Sequence, residues 1–194
     1  MSLPALLEQR LRLPVVAAPM FLISNPQLVL ACCRQGVVGS FPALNQRESS
    51  GFKAWLEEIE AGLATMENPA PYAVNLIVHN SNPRLQADLE ICVEHKVPIV
   101  ITSLGAVKEL VDAVHSYGGL VFHDVTTRRH AEKAAEAGVD VVASGPRDLR
   151  ASTPSWRTSG PACFVHPVEM DHGQVAALCP ECWAAVRGGP RPGP

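Results

Sequence analysis

Residues 13–41 read LPVVAAPMFLISNPQLVLACCRQGVVGSF. Leu13 to Ala18 is a short run of apolar and β-branched residues, the signature of a buried strand. Asn25-Pro26 supplies a capping side chain and a proline for the first helical turn, and Gly36 supplies a stop, so a helix is expected to about Gln35. Val37-Val38-Gly39-Ser40-Phe41 is a second short run. Strand, helix and strand joined by short links make a βα unit with a right-handed return.

The rhythm continues to Ala143. Phe52, Trp55, Leu56, Ile59 and Leu63 recur at helical spacing. Tyr72 to Val78 is a third strand, and Asn82-Pro83 opens a helix carrying Leu85, Leu89, Cys92 and Val93. Strands are then expected over Pro98–Ser103, Leu120–His123 and Val139–Ala143, with helices around Val107–Val114 and Arg128–Ala137. Strands this apolar are covered on both faces, as in parallel sheets. Six such units admit an open doubly wound sheet or a shortened (β/α)8 barrel, which normally takes about 250 residues. The turn after the first strand is Ala18-Pro19-Met20-Phe21, which carries no glycine-rich dinucleotide fingerprint.

The chain changes character after Ser144. Eight of its 17 prolines, two of its three tryptophans and three of its six cysteines lie in residues 145–194. The expected organisation is a barrel-type region over 1–144 and an irregular, poorly ordered tail over 145–194, with at most a short helix over Val175–Val186. Hydrophobic residues make up 47% of the chain and charged residues 18%, so a packed core is expected. A net charge of −3 gives no footprint for nucleic acid. No apolar run is long enough to cross a membrane, and the N-terminus lacks the order of a signal peptide. Cysteines set in apolar segments suit a reduced, cytoplasmic protein.

Residues 13–41 resemble the start of the nitronate monooxygenase (2-nitropropane dioxygenase) family. The resemblance rests on Pro14, Ala18-Pro19-Met20, Asn25-Pro26, Gly36 and Gly39, and on three later segments in order. These are Asn75-Leu76, Ser103-Leu104-Gly105, and His123-Asp124-Val125 ahead of Arg128-Arg129-His130-Ala131. The resemblance spans roughly residues 10–143. It implies an α/β fold, an incomplete (β/α)8 TIM barrel of about six βα strands with an irregular C-terminal tail. It also implies FMN at the C-terminal ends of the strands. Ala18, Pro19 and Met20 would line the flavin ring, Asn75 would hydrogen-bond it, and Ser103 and Gly105 would border it. Asp124 stands where some relatives carry a lysine, and joins the cofactor set as a departure from that branch. The implied reaction oxidises an alkyl nitronate with O2 to a carbonyl compound and nitrite. A related possibility is an FMN-dependent enoyl-carrier-protein reductase.

The resemblance also exposes a gap. Relatives carry a Gly-Gly-His-x-Gly segment after the sixth strand, whose histidine is the base; here the chain reads Ser144-Gly145-Pro146-Arg147-Asp148. The glycine-rich loops that would hold the phosphate are not recognisable either. The catalytic residue is thus left open: His123, at a strand end, is a candidate to face the site, but on its different strand it cannot simply replace the absent base. A shifted reading frame near codon 144 accounts for the tail better than a replacement module. Loss of the later strands would expose sheet edges and favour self-association. The reading from a different class is a non-catalytic barrel fragment, or a binding module with a zinc tail. Cys163-x-x-His166 and Cys179-x-x-Cys182 have structural-zinc spacing, which chance also produces in so Cys- and Pro-rich a stretch. His79, His95 and His115 read as surface residues at element ends, and Cys32-Cys33 as buried neighbours on a helix.

Overall fold

The computed structural model describes residues 4–105, 108–125, 128–144, 163–170 and 173–178. A short helix, α1 (Ala5–Glu8), precedes β1 (Val15–Ala17). Then come α2 (Pro26–Arg34), β2 (Gly39–Pro42), α3 (Ser49–Ala64), β3 (Tyr72–Ile77), α4 (Leu85–Glu94) and β4 (Ile99–Ser103). α5 (Lys108–His115), β5 (Leu120–Val125), α6 (Arg128–Ala137) and β6 (Val141–Ser144) complete the regular part. Two further strands, β7 (Cys163–Met170) and β8 (Gly173–Leu178), lie in the C-terminal stretch.

The capping chemistry acts as its residue types require. Asn25 Oδ1 accepts the Leu28 N–H, and Pro26 sits in the first turn of α2. Gly36, at φ +74°, ends the same helix in the left-handed region, where a side chain is disfavoured. Asn82 behaves differently from its expected role. Its side chain binds the Ile77 carbonyl and the Arg84 N–H, and α4 starts only at Leu85. Asn82-Pro83 therefore forms a turn before the helix rather than its first turn.

Strands β2 to β7 pair in parallel with their sequence neighbours. β8 runs antiparallel to both β7 and β1. A parallel bridge between Val16 and Val38 joins β1 to the start of β2, and so closes the ring. Among the described residues this is a (β/α)8-type barrel with helices after β1 to β5. Five βα units and β6 are built in the regular way, and the β7–β8 hairpin spans the remaining arc. Residues 175–178 are strand rather than the start of the short helix expected over Val175–Val186. A hairpin puts apolar Val175, Ala176 and Ala177 in pairing register with β1 and β7, and Pro180 follows immediately.

Two cores result. Between sheet and helices lie Val29, Phe41, Phe52, Leu56, Ile59, Val74, Leu76, Val100, Val111 and Val114. Inside the barrel lie Val16, Val38, Ala73, Ile99, Ile101, Phe122 and Val141, and Leu7 of α1 packs with them. The second cluster matters for the site, because it shows which residue of each strand points inward.

Candidate active site

Side chains alternate along a strand, so the inner cluster fixes the interior face of each strand. On β3 the inward parity runs Ala73, Asn75, Ile77; on β4 it runs Ile99, Ile101, Ser103; on β5 it runs Phe122, Asp124. Ser103 and Asp124 are therefore the last inward residues of β4 and β5, and Ile77 is level with Ser103 on β3. Asn75 lies one inward step lower, in register with Ile101, Phe122 and Val141, and its side chain reaches Ser103, so the three form a polar layer bordered by these apolar residues. Catalytic groups of barrel enzymes collect at this C-terminal end.

The three side chains are connected. Asn75, almost fully buried, donates through Nδ2 to Ser103 Oγ at 2.8 Å and to the Ile101 carbonyl at 3.1 Å. The Ser103 hydroxyl lies near enough to the Asp124 carboxylate to favour its ionised form. Among the described hydrogen bonds none uses Asn75 Oδ1. Burial pushes the Asp124 carboxyl above its ordinary range, while the Ser103 hydroxyl and His123 pull the other way. The carboxylate nonetheless remains exposed through the mouth.

The loop after β1 approaches the same end. Met20 N–H donates to Ser24 Oγ at 3.0 Å. Asn45 Nδ2 donates to the Met20 carbonyl at 3.1 Å and to the Ser24 carbonyl at 2.7 Å, and its Oδ1 accepts the Leu22 N–H at 3.0 Å. The main chain of Met20 is thus committed to the loop, which leaves its side chain for contact with a ligand. Ala18, Pro19 and Met20 are each half-buried. Ser40 of β2 hydrogen-bonds the Ala17 carbonyl, tying the two strands just below. Asn45 escaped the sequence reading. Its only signal was an amide placed right after the second strand, which composition does not separate from an ordinary turn residue.

Gly105 has a local structural reason. A Cβ there would come within 2.9 Å of the Val78 carbonyl oxygen. The glycine lets the loop after β4 pass close to the end of β3.

His123 takes the other parity. It shares its face with Val121, which packs in the outer, helix-facing core. It is buried, and its Nδ1 lies 2.7 Å from Thr102 Oγ1, whose hydroxyl also donates to the Phe122 carbonyl at 3.2 Å. Satisfying both contacts places a proton on Nδ1. As a candidate to face the site, His123 is corrected by this placement: a one-residue offset on a strand turns it away from the mouth. Burial lowers its pKa. The unfolded chain then binds the extra proton first, so stability falls as pH drops through about 6.5. Urea midpoints at pH 7.5 and 5.5 are expected to fall more for the wild type than for His123→Asn. An equal fall in both would show that His123 does not titrate as its burial demands.

Among the other histidines, His95 differs from its surface reading. Its side chain is only 10% exposed, and Nδ1 meets Glu60 at 3.1 Å. Cys33 is buried, and desolvation raises its thiol to about 11, which leaves it unreactive. Residues 145–148, where the base segment would fall, lie outside the described residues, as do Cys179 and Cys182 of the zinc pattern. Cys163 and His166 fall on β7. No helix among the described residues is long and apolar enough to cross a membrane.

No protein-family model matches the chain, and no curated protein does. Solved structures do match. FabK from Thermotoga maritima is 22% identical, with a TM-score of 0.63, over 72% of this chain and 42% of its own. Nitroalkane oxidase from Streptomyces ansochromogenes is 21% identical, with a TM-score of 0.64, over 73% of this chain and 48% of its own. The barrel fold is shared. The chain spans less than half the length of these structures.

The polar layer suits the ring half of a flavin. A flavin presents a flat apolar body and polar edges. Ile101 and Phe122 offer apolar surroundings, Asn75 Oδ1 an unused acceptor, and Met20 an adaptable thioether. A phosphate cradle is not found among the described residues.

Proposed function

We propose that this chain is an FMN-dependent oxidoreductase of the nitronate monooxygenase type, acting on an alkyl nitronate and O2 to give a carbonyl compound and nitrite. The observation that carries the reading is the polar group of Asn75, Ser103 and Asp124 on the inward faces of three adjacent strands, beside apolar Ile101, Phe122 and Val141. The fold likeness to a nitroalkane oxidase supports it.

When bound, the flavin supplies the electron transfer between substrate and O2. The chain's own residues bind and shape the site. Asn75 would hold a polar edge of the cofactor through Oδ1, while its Nδ2 bonds to Ser103 and the Ile101 carbonyl fix the amide. Met20, on the loop that Asn45 pins, would contact it, and Ile101 and Phe122 would give it apolar surroundings. The fold likeness to FabK favours a second reading on the same scaffold, an FMN-dependent enoyl-carrier-protein reductase. That reaction needs a nicotinamide donor, so NAD(P)H-dependent turnover of an enoyl thioester separates it from nitronate-dependent O2 uptake.

The cofactor is tested first. Purified full-length chain is titrated with FMN, following quenching of flavin fluorescence. Saturable binding is expected, weakened about tenfold in Asn75→Ala, the ~1.4 kcal/mol scale of one lost hydrogen bond. A chain that neither copurifies with FMN nor takes it up overturns the reading and favours a non-catalytic barrel fragment.

A further inference from the structure

The seam between β1 and β2 is held differently from the other parallel seams, which share ladders of three or more residue pairs. Among the described residues β1 meets β2 through the single bridge of Val16 with Val38, and the Ala17 N–H donates to the Val38 carbonyl at 2.8 Å. Toward the C-terminal end side chains take over. Ser40 hydrogen-bonds the Ala17 carbonyl, and Asn45 takes hold of the loop that follows. Asn45 closes a short 3₁₀ turn, Ala43–Asn45, that leaves β2 directly; Ala43 is fully buried, so the amide stands on a fixed support. That one amide serves three main-chain groups: Nδ2 donates to the Met20 and Ser24 carbonyls, and Oδ1 accepts the Leu22 N–H. Leu22 sits at φ +62°, in the left-handed region that a leucine disfavours, so the loop does not keep this turn by its own preference. Buried Ser24 completes the hold by accepting the Met20 N–H. Both polar main-chain groups of Met20 are used, and Met20 is half-buried while Phe21, Leu22 and Ile23 stand exposed.

We propose that Asn45 is a positioning residue of the cofactor site, acting through Met20: it fixes the main chain of residues 20–24 to the end of β2 and so holds the thioether ready before the flavin arrives. The inference rests on the site reading given above. A methionine has a flexible side chain, and on a free loop its backbone would also have to be ordered on binding; a loop already fixed leaves only the side chain to order. The donor half of the amide matters most, because it serves two carbonyls, that of Met20 among them, whereas the acceptor half serves Leu22 alone.

Two readouts test this. The full chain is labelled with 13C-methyl methionine, and the Met20 signal is assigned by its loss in Met20→Leu. Without flavin, that signal is expected to narrow and to move toward the position of free methionine in Asn45→Ala and in Asn45→Asp. The aspartate keeps the acceptor for Leu22 and sets an oxygen against the two carbonyls, so a replacement of equal size still releases Met20. FMN affinity of the full chain is read by fluorescence quenching. Asn45→Ala is expected to weaken it about fivefold, the scale of one group left to be ordered on binding. Met20→Ala should weaken it by a similar factor, and the double variant by little more than the larger single, since both changes remove the same contact. Ser24→Ala frees the Met20 N–H without touching Asn45; it should act in the same direction, and it decides the matter where an Asn45 variant fails to fold. A merely structural amide would lower the melting temperature and leave the Met20 signal and the FMN affinity of the folded chain unchanged, and that result overturns the proposal. Factors that multiply in the double variant overturn it too. A wild type that takes up no FMN overturns the site reading and with it the cofactor role of Asn45. A wild type that binds FMN no more tightly than Asn45→Ala overturns the role of Asn45 alone.

Discussion

Phe41→Ala is expected to destabilise the fold by about 3–5 kcal/mol, the usual cost of emptying a phenylalanine site in a packed core. Phe41 is fully buried on β2, between the sheet and α3. Its ring centroid lies 6.0 Å from that of Phe52 and 5.7 Å from that of Trp55, the second contact being edge-on. Edge contacts of this kind add about 0.5–1.5 kcal/mol beyond burial. Both partners come from one helix and the backbone holds β2 in register with β3, so the cavity cannot collapse easily. A melting temperature lower by about 6–20 °C is expected for a chain of this size. Differential scanning calorimetry measures it, with far-UV circular dichroism to confirm that the variant folds. A drop under about 3 °C would mean that α3 closes onto β2 and fills the gap.

Arg84→Ala carries the second large effect. Asp88 of α4 is completely buried, and its Oδ1 receives Arg84 Nη2 at 3.0 Å and Ser49 Oγ at 2.6 Å. Asp88 Oδ2 is buried without a hydrogen-bond partner among the described residues. Arg84 also reaches the Gln46 carbonyl through Nη1 at 2.6 Å. This one guanidinium therefore ties the start of α3 to the start of α4, both of which follow strand ends at the site. Removing it leaves a buried carboxylate with one neutral donor. Breaking a buried pair from one side costs about 3–5 kcal/mol, whereas an exposed pair such as Lys108–Asp112 is worth under about 1 kcal/mol. Urea denaturation of Arg84→Ala, Lys108→Ala and the double replacement Arg84→Met with Asp88→Leu separates these terms. The double variant should recover much of the loss, because no unpaired charge stays buried. Equal small losses for Arg84→Ala and Lys108→Ala would show that Asp88 finds water.

How much of the site was legible follows from particular residues. Asn75 stood out because an amide in the run YAVNLIV is costly to bury unless it has a partner, and Ile101 and Ser103 are its partners. Ser103 and Asp124 were marked by resemblance, and their contact joins residues of two strands. Asn45 gave no signal, since its three hydrogen bonds go to main-chain atoms at least 21 positions away.

The sequence by itself determined the succession of strands and helices up to residue 144. That information is local: helical spacing of apolar residues, Asn25 as a cap, Gly36 as a stop. Only the tertiary structure decided which way β5 faces. In LVFHDV every position but Asp124 is apolar or buried, and a strand covered on both faces has no alternation from which to read its inside. The inner cluster of Ile101, Phe122 and Val141 sets that parity, placing Asp124 in the mouth and His123 behind it. Closure of the ring was likewise invisible in the sequence. It depends on β8 pairing with β1 across some 160 residues, and pairing over such a separation is specified by the assembled sheet rather than by local preference.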